Sequence, residues 1–490
     1  QDNFKIRPNV TLELGLRFDW NMTPTERYNR FVVFDPATRT LVRVGSGIDD
    51  VYQQNNDNFQ PRLGIAWDPF KNGKTSIRAA YAILTDQPVT NVVTPLTSNP
   101  PLARPLTLTT TLPIIPIDNA EPLAGAVGLA PNTVDHDFHN SYIQSWNLNV
   151  QREVRQGLAV TVGYYGSKGT NLRITRNLNQ TFLNAAFNQV RPFPTLSASS
   201  PIAPGTPLQN ITFREGTSNS NYNALWVTAN KRMGKGLQFN ASYTFAKSID
   251  YNSQSSQGVT VQDSYNLRGD RGLSDFDVRH RFVISGLYEL PFKGNQFKEG
   301  WQFSFIEQSQ SGNPVTLLAG NTGNLGAGAG LINGANANSL TGLATLRPDS
   351  LGPIESSPAP AVGVIGVQWF PNLVCDPRPG GQCPSGSVVN LPVTAVGNRT
   401  VYHFGSMGRN VVIGPGFHNT DLSLIKRTKI TERQMIEFRW EVFDVFNHAN
   451  FGQPGRVIPS ANFGQITNTR FPTGDSGSSR QMQFALKYKF

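Results

Sequence analysis

An antiparallel up-and-down β-barrel that crosses a membrane is the fold class this sequence predicts: all-β, about twelve strands of a larger barrel, long loops on one rim and short turns on the other. Three observations predict it. Apolar and polar residues alternate strictly in many segments, and the connections between those segments alternate between short and long. The chain is only 38% hydrophobic, its mean hydropathy is -0.31, and no run approaches the roughly 18 apolar residues of a spanning helix. A barrel wall turns only every second residue to lipid, so it crosses a membrane while staying hydrophilic on average.

The clearest segment closes the chain. Met482, Phe484, Leu486, Tyr488 and Phe490 alternate with Gln481, Gln483, small Ala485, Lys487 and Lys489, which makes a strand with one apolar and one polar face. Near the start, Val10, Leu12, Leu14, Leu16, Phe18 and Trp20 alternate in the same way with Thr11, Glu13, Gly15, Arg17 and Asp19. Phe31-Val-Val-Phe34 and Leu41-Val-Arg-Val44 flank Asp35-Pro36 and predict a small hairpin inside the first long loop. Phe59, Leu63, Ile65 and Trp67 precede a tight turn at Asn72-Gly73, and Ile77, Ala79, Tyr81 and Ile83 follow it. Similar pairs are read at 142–150 with 158–164, 225–229 with 237–245, 282–290 with 301–305, and 420–426 with 436–442.

Short connections fall at 69–74, 153–157, 232–236, 291–300 and 427–433, and long ones at 22–57, 86–140, 169–219, 251–276, 313–416 and 447–478. Tight periplasmic turns at one rim and long extracellular loops at the other account for this asymmetry. Twelve strands, an even number, place both ends of the chain at the periplasmic rim. Residues 1–490 are thus one partial barrel, with 313–416 a long extracellular loop region within it. Its Gly/Asn/Ala tract from Gly320 to Asn338 reads as flexible.

If the apolar faces meet lipid, the alternate charges point into the lumen, since an Arg or Lys at the bilayer midplane on the lipid face costs about 2–4 kcal/mol. The lumen-facing polar candidates are Glu13, Arg17, Asp19, Arg62 and Arg78, with Glu437, Arg439 and Glu441 near the other end. Two readings stand for them: a paired ladder that braces the wall, or a polar lining that grips or passes a solute. Phe18, Trp20, Tyr164, Tyr288, Trp301, Trp440, Tyr488 and Phe490 are the expected lipid-facing and girdle aromatics. Tyr265, Trp369, Phe370 and Tyr402 are loop positions suited to ligand contact.

The net charge of +10 comes from scattered single residues without a basic helix, so anionic lipopolysaccharide, not nucleic acid, is the expected partner. Cys375 and Cys383, with seven residues between them, suit a loop-stapling disulfide in an oxidising compartment. Asp135-His-Asp-Phe-His139 is an incomplete ligand set, His280 reads as a strand-end residue, and Gly326-Ala-Gly-Ala-Gly330 fits no phosphate-loop spacing. No enzyme, metal or cofactor is expected. The chain begins at Gln1, so an export signal is expected to have been removed or to lie outside the sequence.

Six segments resemble the TonB-dependent outer-membrane receptors, in particular their Oar-like branch. They are Ser141-Tyr-Ile-Gln-Ser-Trp-Asn-Leu-Asn-Val-Gln-Arg-Glu153, Gly163-Tyr-Tyr-Gly-Ser-Lys-Gly-Thr-Asn-Leu172, Ala241-Ser-Tyr-Thr-Phe-Ala-Lys-Ser-Ile-Asp250, Ser274-Asp-Phe-Asp-Val-Arg-His-Arg-Phe282, Gly414-Pro-Gly-Phe-His-Asn-Thr-Asp421 and Phe438-Arg-Trp-Glu-Val-Phe-Asp-Val-Phe-Asn-His448. The closing strand, ending on Phe490, is also similar to the carboxy-terminal strand read by the barrel-assembly machinery. The resemblance implies a barrel of about twenty-two strands around an amino-terminal plug, preceded by a box that binds TonB. Neither plug nor box is legible here, so the chain reads as the carboxy-terminal part of such a barrel, a monomer that reaches the TonB complex only through a plug not present in it. The function implied is energised uptake of a bulky substrate at the bacterial outer membrane, with export-related passage as the Oar-like variant. The alternatives are a passive pore, or a soluble all-β adhesin or scaffold whose apolar faces pair in a dry two-sheet core.

Overall fold

The computed structural model describes residues 1–103, 128–184, 189–253, 261–319, 330–331, 346–361, 366–378, 380–396, 399–458, 460–470 and 479–490. Most of the Gly/Asn/Ala tract lies outside the described residues. One large antiparallel sheet carries the chain through thirteen strands, each hydrogen-bonded to its neighbours in sequence order. They are β1 (Asp2–Arg7), β2 (Val10–Phe18), β3 (Phe59–Trp67), β4 (Thr75–Thr85), β5 (Tyr142–Arg155), β6 (Leu158–Asn177), β7 (Thr212–Gly234), β8 (Leu237–Asp250), β9 (His280–Glu289), β10 (Trp301–Gln310), β11 (Phe417–Lys429), β12 (Met435–Phe443) and β13 (Gln481–Lys489).

The extra strand is β1, which turns at Pro8-Asn9 and pairs from Asp2↔Leu14 to Arg7↔Val10. It escapes sequence reading because only Phe4 and Ile6 alternate in it, too few for a period to show. With thirteen strands the first and last run in the same direction, so the two ends lie towards opposite rims, not at one as the even count implied. The alternation of short and long connections survives, since the β1–β2 connection is another tight turn.

The four central strands are longer than their alternating segments. β6 has 20 residues and β7 has 23, against the roughly 9–11 a barrel strand needs to cross a bilayer. Residues 169–177 and 212–219, read from sequence as irregular, are the outer ends of these two strands, offset by register shifts between Glu215 and Ser220. Loops cover both sides of the extensions and bury Ile174, Thr175, Asn177, Phe213 and Arg214. A strand buried on both faces has no reason to alternate, which erases the signal.

Two tryptophans explain the Gly163-Tyr-Tyr-Gly166 stretch. Trp226 pairs across from Gly163 and Trp146 across from Gly166, and a Cβ on either glycine would stand 2.4 Å from the indole that lies over it. Glycine there lets a large ring lie flat on the neighbouring backbone. Gly166→Ala is expected to displace Trp146 and cost about 1–3 kcal/mol, read as a lower urea midpoint in detergent micelles. A shift below about 0.5 kcal/mol, the scale of an ordinary surface change, would mean that the contact is not needed.

The long loops fold into a cap with its own cores. The hairpin of Val32–Asp35 with Thr40–Arg43 forms as expected. Its FVVF run does not alternate because both faces are buried. Phe31 and Val33 pack with Tyr52, Leu96 and Phe138, while Val32 and Phe34 pack with Leu41, Leu196 and Ile211. A third core joins the 311–416 and 444–480 loops through Leu317, Phe370, Val389, Ile458 and Phe463, with Phe370 and Phe463 edge to face at 5.2 Å. Cys375 and Cys383 form a disulfide beside it.

Glu26 closes a turn in the first loop, accepting from Arg30 Nε at 2.8 Å and Nη2 at 2.6 Å and from the backbone N–H groups of Tyr28 and Arg30. The Arg30 side chain first, then the backbone donors, hold its carboxyl down to about 2. A depressed pKa stabilises the fold above the unfolded value and loses that contribution as pH falls. The stability difference between the wild type and Glu26→Gln should therefore be constant above about pH 5 and disappear between roughly pH 4.5 and 2. A difference flat through that window would show that the turn adds nothing to stability.

Candidate functional site

Cross-strand partners in an antiparallel sheet project to the same side, so the register assigns every strand residue to a face. Leu14, Leu63, Tyr81 and Trp146 follow one another across β2 to β5. Leu148, Tyr164, Leu225 and Phe245 continue that face across β5 to β8. Tyr288, Phe303, Leu424, Trp440 and Phe484 complete it to β13. Between β8 and β9 the row steps along the strand, since Phe245 pairs with His280 and Tyr288 with Leu237, and the face is open: Leu16 is 68% exposed, Phe484 68% and Leu486 74%. Phe18, Tyr164, Tyr288, Trp301, Trp440 and Tyr488 all belong to this face, whereas Trp20 and Phe490 stand just past the ends of β2 and β13. A two-sheet dry core would hide these side chains, so the soluble-scaffold alternative fails.

The opposite face carries polar side chains among apolar ones such as Leu84, Ile143, Leu287 and Ile306. Arg78, Asn149, Gly163, Trp226, Thr244 and Arg281 succeed one another from β4 to β9, and Ser304, Ser423, Glu441 and Gln483 from β10 to β13. The strand residues among the sequence candidates share it, but as two groups at opposite edges of the sheet. In the first, Arg17 Nε meets Asp19 Oδ1 at 2.7 Å, Gln60 donates to the same carboxylate, and Gln1 donates to Glu13. Arg62 faces Gly15 and Ala82, and Arg78 faces Ala66 and Asn149. In the second, Glu437 accepts from Arg427 Nε at 2.9 Å and Arg439 Nε at 2.7 Å, with Lys489 Nζ at 3.6 Å, and Gln483 donates to Glu441. Glu437 is almost fully buried among three cations, the arrangement of a brace that joins β11, β12 and β13.

Sequence reading set Gln60 opposite the apolar residues of its strand without singling it out, and missed Asn147, Asn149 and Trp226 on this face. Their signal was there: each lies at an even spacing from a charged or small residue of the same strand, but a neutral amide or an indole does not announce a polar lining.

At the loop rim of the polar face is a cavity of about 490 Å³. Leu84, Val89, Val92, Ile143 and Leu172 line it, together with Asp86 and Arg173. Arg173 Nη1 donates to Asn91 Oδ1 at 2.7 Å. A largely apolar hollow whose lining includes a carboxylate and a guanidinium suits an amphipathic ligand.

The cap is tied together by the 251–279 loop. Arg347, in the 311–416 loop, pairs with Asp270, donates Nε to the Met407 carbonyl at 2.8 Å and Nη2 to the Gly269 carbonyl at 3.0 Å. Arg409 binds Asp250, the Asp270 carbonyl at 3.0 Å and Asp275 at 3.3 Å. Towards the other side, Gln180 Nε2 donates to Asp263 Oδ1 at 2.8 Å and Tyr265 Oη to the Leu178 carbonyl at 2.6 Å. Of the loop residues singled out for ligand contact, Phe370 is sealed in a core and Tyr265 spends its hydroxyl on the cap. Trp369 lines a different cavity, outside the polar face; the Tyr402 side chain lies outside the described residues.

No protein of curated function matches the sequence. Among solved structures, the chain is similar to the outer membrane transporter YddB from Escherichia coli, with 10% identity, a TM-score of 0.45 and coverage of 98% of this chain and 43% of that one. It is also similar to the ferripyoverdine receptor of the outer membrane of Pseudomonas aeruginosa (11% identity, TM-score 0.42, 99% and 37%) and to the siderophore receptor PirA from Acinetobacter baumannii (12%, 0.42, 100% and 44%). The chain thus spans about two fifths of the length of the structures it matches. A family model described as the outer membrane beta barrel domain matches residues 1–483, and the chain belongs to that family, a β-barrel of the outer membrane.

Proposed function

We propose that this chain is the barrel part of a TonB-dependent receptor of the Oar-like branch, which binds a bulky substrate at its loop rim and passes it inward under energy from TonB. The observation that carries the reading is the one-sided wall beneath a folded cap. An apolar face extends from β2 to β13, the other face carries braced charges, and the loops of one rim pack into cores, one of which shares Val92 and Phe138 with the 490 Å³ cavity. A simple pore has no use for a cap tied by buried ion pairs. The six ordered segments from Ser141 to His448 support the branch assignment. Coupling to TonB needs a plug, which the barrel described here would hold against its polar face. The remaining partners are the barrel-assembly machinery, for which the β13 strand ending on Phe490 is the expected signal, and lipopolysaccharide around the wall. No catalytic role is proposed.

Energised uptake is tested in cells that express the protein from its own locus. Uptake of a solute whose transport is lost on deleting the gene should fall at least about tenfold when the proton gradient of the inner membrane is collapsed. Uptake that continues unchanged identifies the passive pore instead.

A further inference from the structure

Near the loop rim the apolar face carries a polar cluster around Glu307, and a cavity beside it is lined by Ser309 and His418 of that cluster. Glu307 is on that face, because it pairs across from Ile284 of β9 and Thr420 of β11. Its carboxylate accepts from Ser309 Oγ at 2.9 Å and from the Thr420 hydroxyl, and His418 Nδ1 is 3.1 Å away. One strand along, Tyr243 Oη and His280 Nδ1 are hydrogen-bonded at 2.8 Å on the same face. Above them a cavity of about 510 Å³ is walled by His418, His448, His280, Trp369, Phe451 and Tyr243.

Glu307 is three residues from the end of β10, about 10 Å of strand from the loop rim. That is the level at which the apolar band gives way to headgroups. A carboxylate facing hydrocarbon is costly and normally marks a function, and this one is 19% exposed beside a half-open imidazole. The lumen is on the other side of the wall, so nothing that travels through the barrel reaches it.

We propose that this cavity seats the saccharide headgroup of a glycolipid of the outer leaflet. The inference rests on the reading that the apolar face meets that leaflet. Sugar hydroxyls exchange hydrogen bonds with the imidazoles and with Ser309, which line the cavity, while Glu307 holds Ser309 and His418 in place from behind them. The faces of Trp369 and Tyr243 offer flat apolar surfaces on which a pyranose ring packs, and the acyl chains run down the half-buried Tyr288–Phe303–Leu424 face. A second copy of the chain would meet an indented polar surface where a stable interface needs a filled apolar one.

The experiment uses the full chain in nanodiscs of phosphatidylcholine, with and without rough-type lipopolysaccharide. A photo-crosslinking amino acid is placed at Ala449, which lines the cavity, and another at Ala79 on the same face of β4 as a control. Saturable labelling by lipopolysaccharide at 449, exceeding that at 79 at least tenfold and falling about tenfold in Glu307→Gln, is the expected result. Equal labelling at both positions, labelling by phosphatidylcholine alone, or a crosslink to a second copy overturns the proposal. Because the first comparison is made without altering Glu307, a variant that fails to fold does not decide the outcome. A chain that remains monodisperse without any amphiphile would instead sink the membrane-wall reading on which the site depends, a result read before any crosslink.

Discussion

Arg347→Met should open the cap while leaving the wall intact. Arg347 and Asp270 are 5% and 2% exposed in their side chains, and the guanidinium also satisfies the Met407 and Gly269 carbonyls. Removing one partner of such a pair leaves a buried charge without compensation, at a cost of about 3–5 kcal/mol. Hydrogen exchange and limited proteolysis should show the change in 261–279, 346–361 and 399–416, with protection in β3 to β8 unchanged. Replacing both residues by apolar ones, Arg347→Met with Asp270→Leu, should recover most of the loss, because a buried ion pair is often worth little against well-packed hydrophobes.

The pH dependence of the variant has a definite sign. Burial pushes the Asp270 carboxyl above its usual range, and Arg347 is the largest influence opposing that rise. Without Arg347 the carboxyl moves further up. A raised folded-state pKa makes the fold relatively more stable in acid and less so as pH climbs through it. The deficit of Arg347→Met should therefore be smallest in acid, below the normal Asp range, and grow towards neutral pH. A deficit independent of pH would show that lost packing, and not the stranded carboxylate, is responsible.

The second large effect compares two neighbours on β5. Leu148 pairs with Ala79 and Tyr164 on the apolar face and is 50% exposed, while Asn147 pairs with Ala80 and Tyr165 on the polar one. Leu148→Arg should lower the unfolding free energy in phospholipid bilayers by about 2–4 kcal/mol, and Asn147→Arg by less than about 1 kcal/mol. In a wall that encloses a soluble core instead, the order of the two would be preserved but the effect would persist without lipid. Equal effects for both neighbours would abolish the assignment of faces.

Most of the wall could be read from residues in order, for a simple reason. A strand between lipid and a wet interior must alternate, so Val10 to Trp20 and Met482 to Phe490 state their structure outright. The same rule made Glu13, Arg17, Glu437 and Arg439 legible as one face. It also set the limits of reading. β1 was too short to show a period, and the outer ends of β6 and β7 lost theirs where loops bury both sides. Glu307 was invisible because a single acid in Trp301-Gln-Phe-Ser-Phe-Ile-Glu307 looks like the end of a pattern, not a break on a particular face.

Period-two chemistry, which acts between a residue and its immediate surroundings, was determined by the sequence alone: the membrane-crossing sheet, its two faces and its unequal rims. Distant pairings belonged to the tertiary structure. Whether Arg347 meets Asp270, whether a Gly/Pro-rich loop buries Phe370 against Phe463, and which histidines surround Glu307 depend on segments tens of residues apart being brought together. No local spacing encodes that, because the energy of a buried pair or a packed core exists only once both partners have left water.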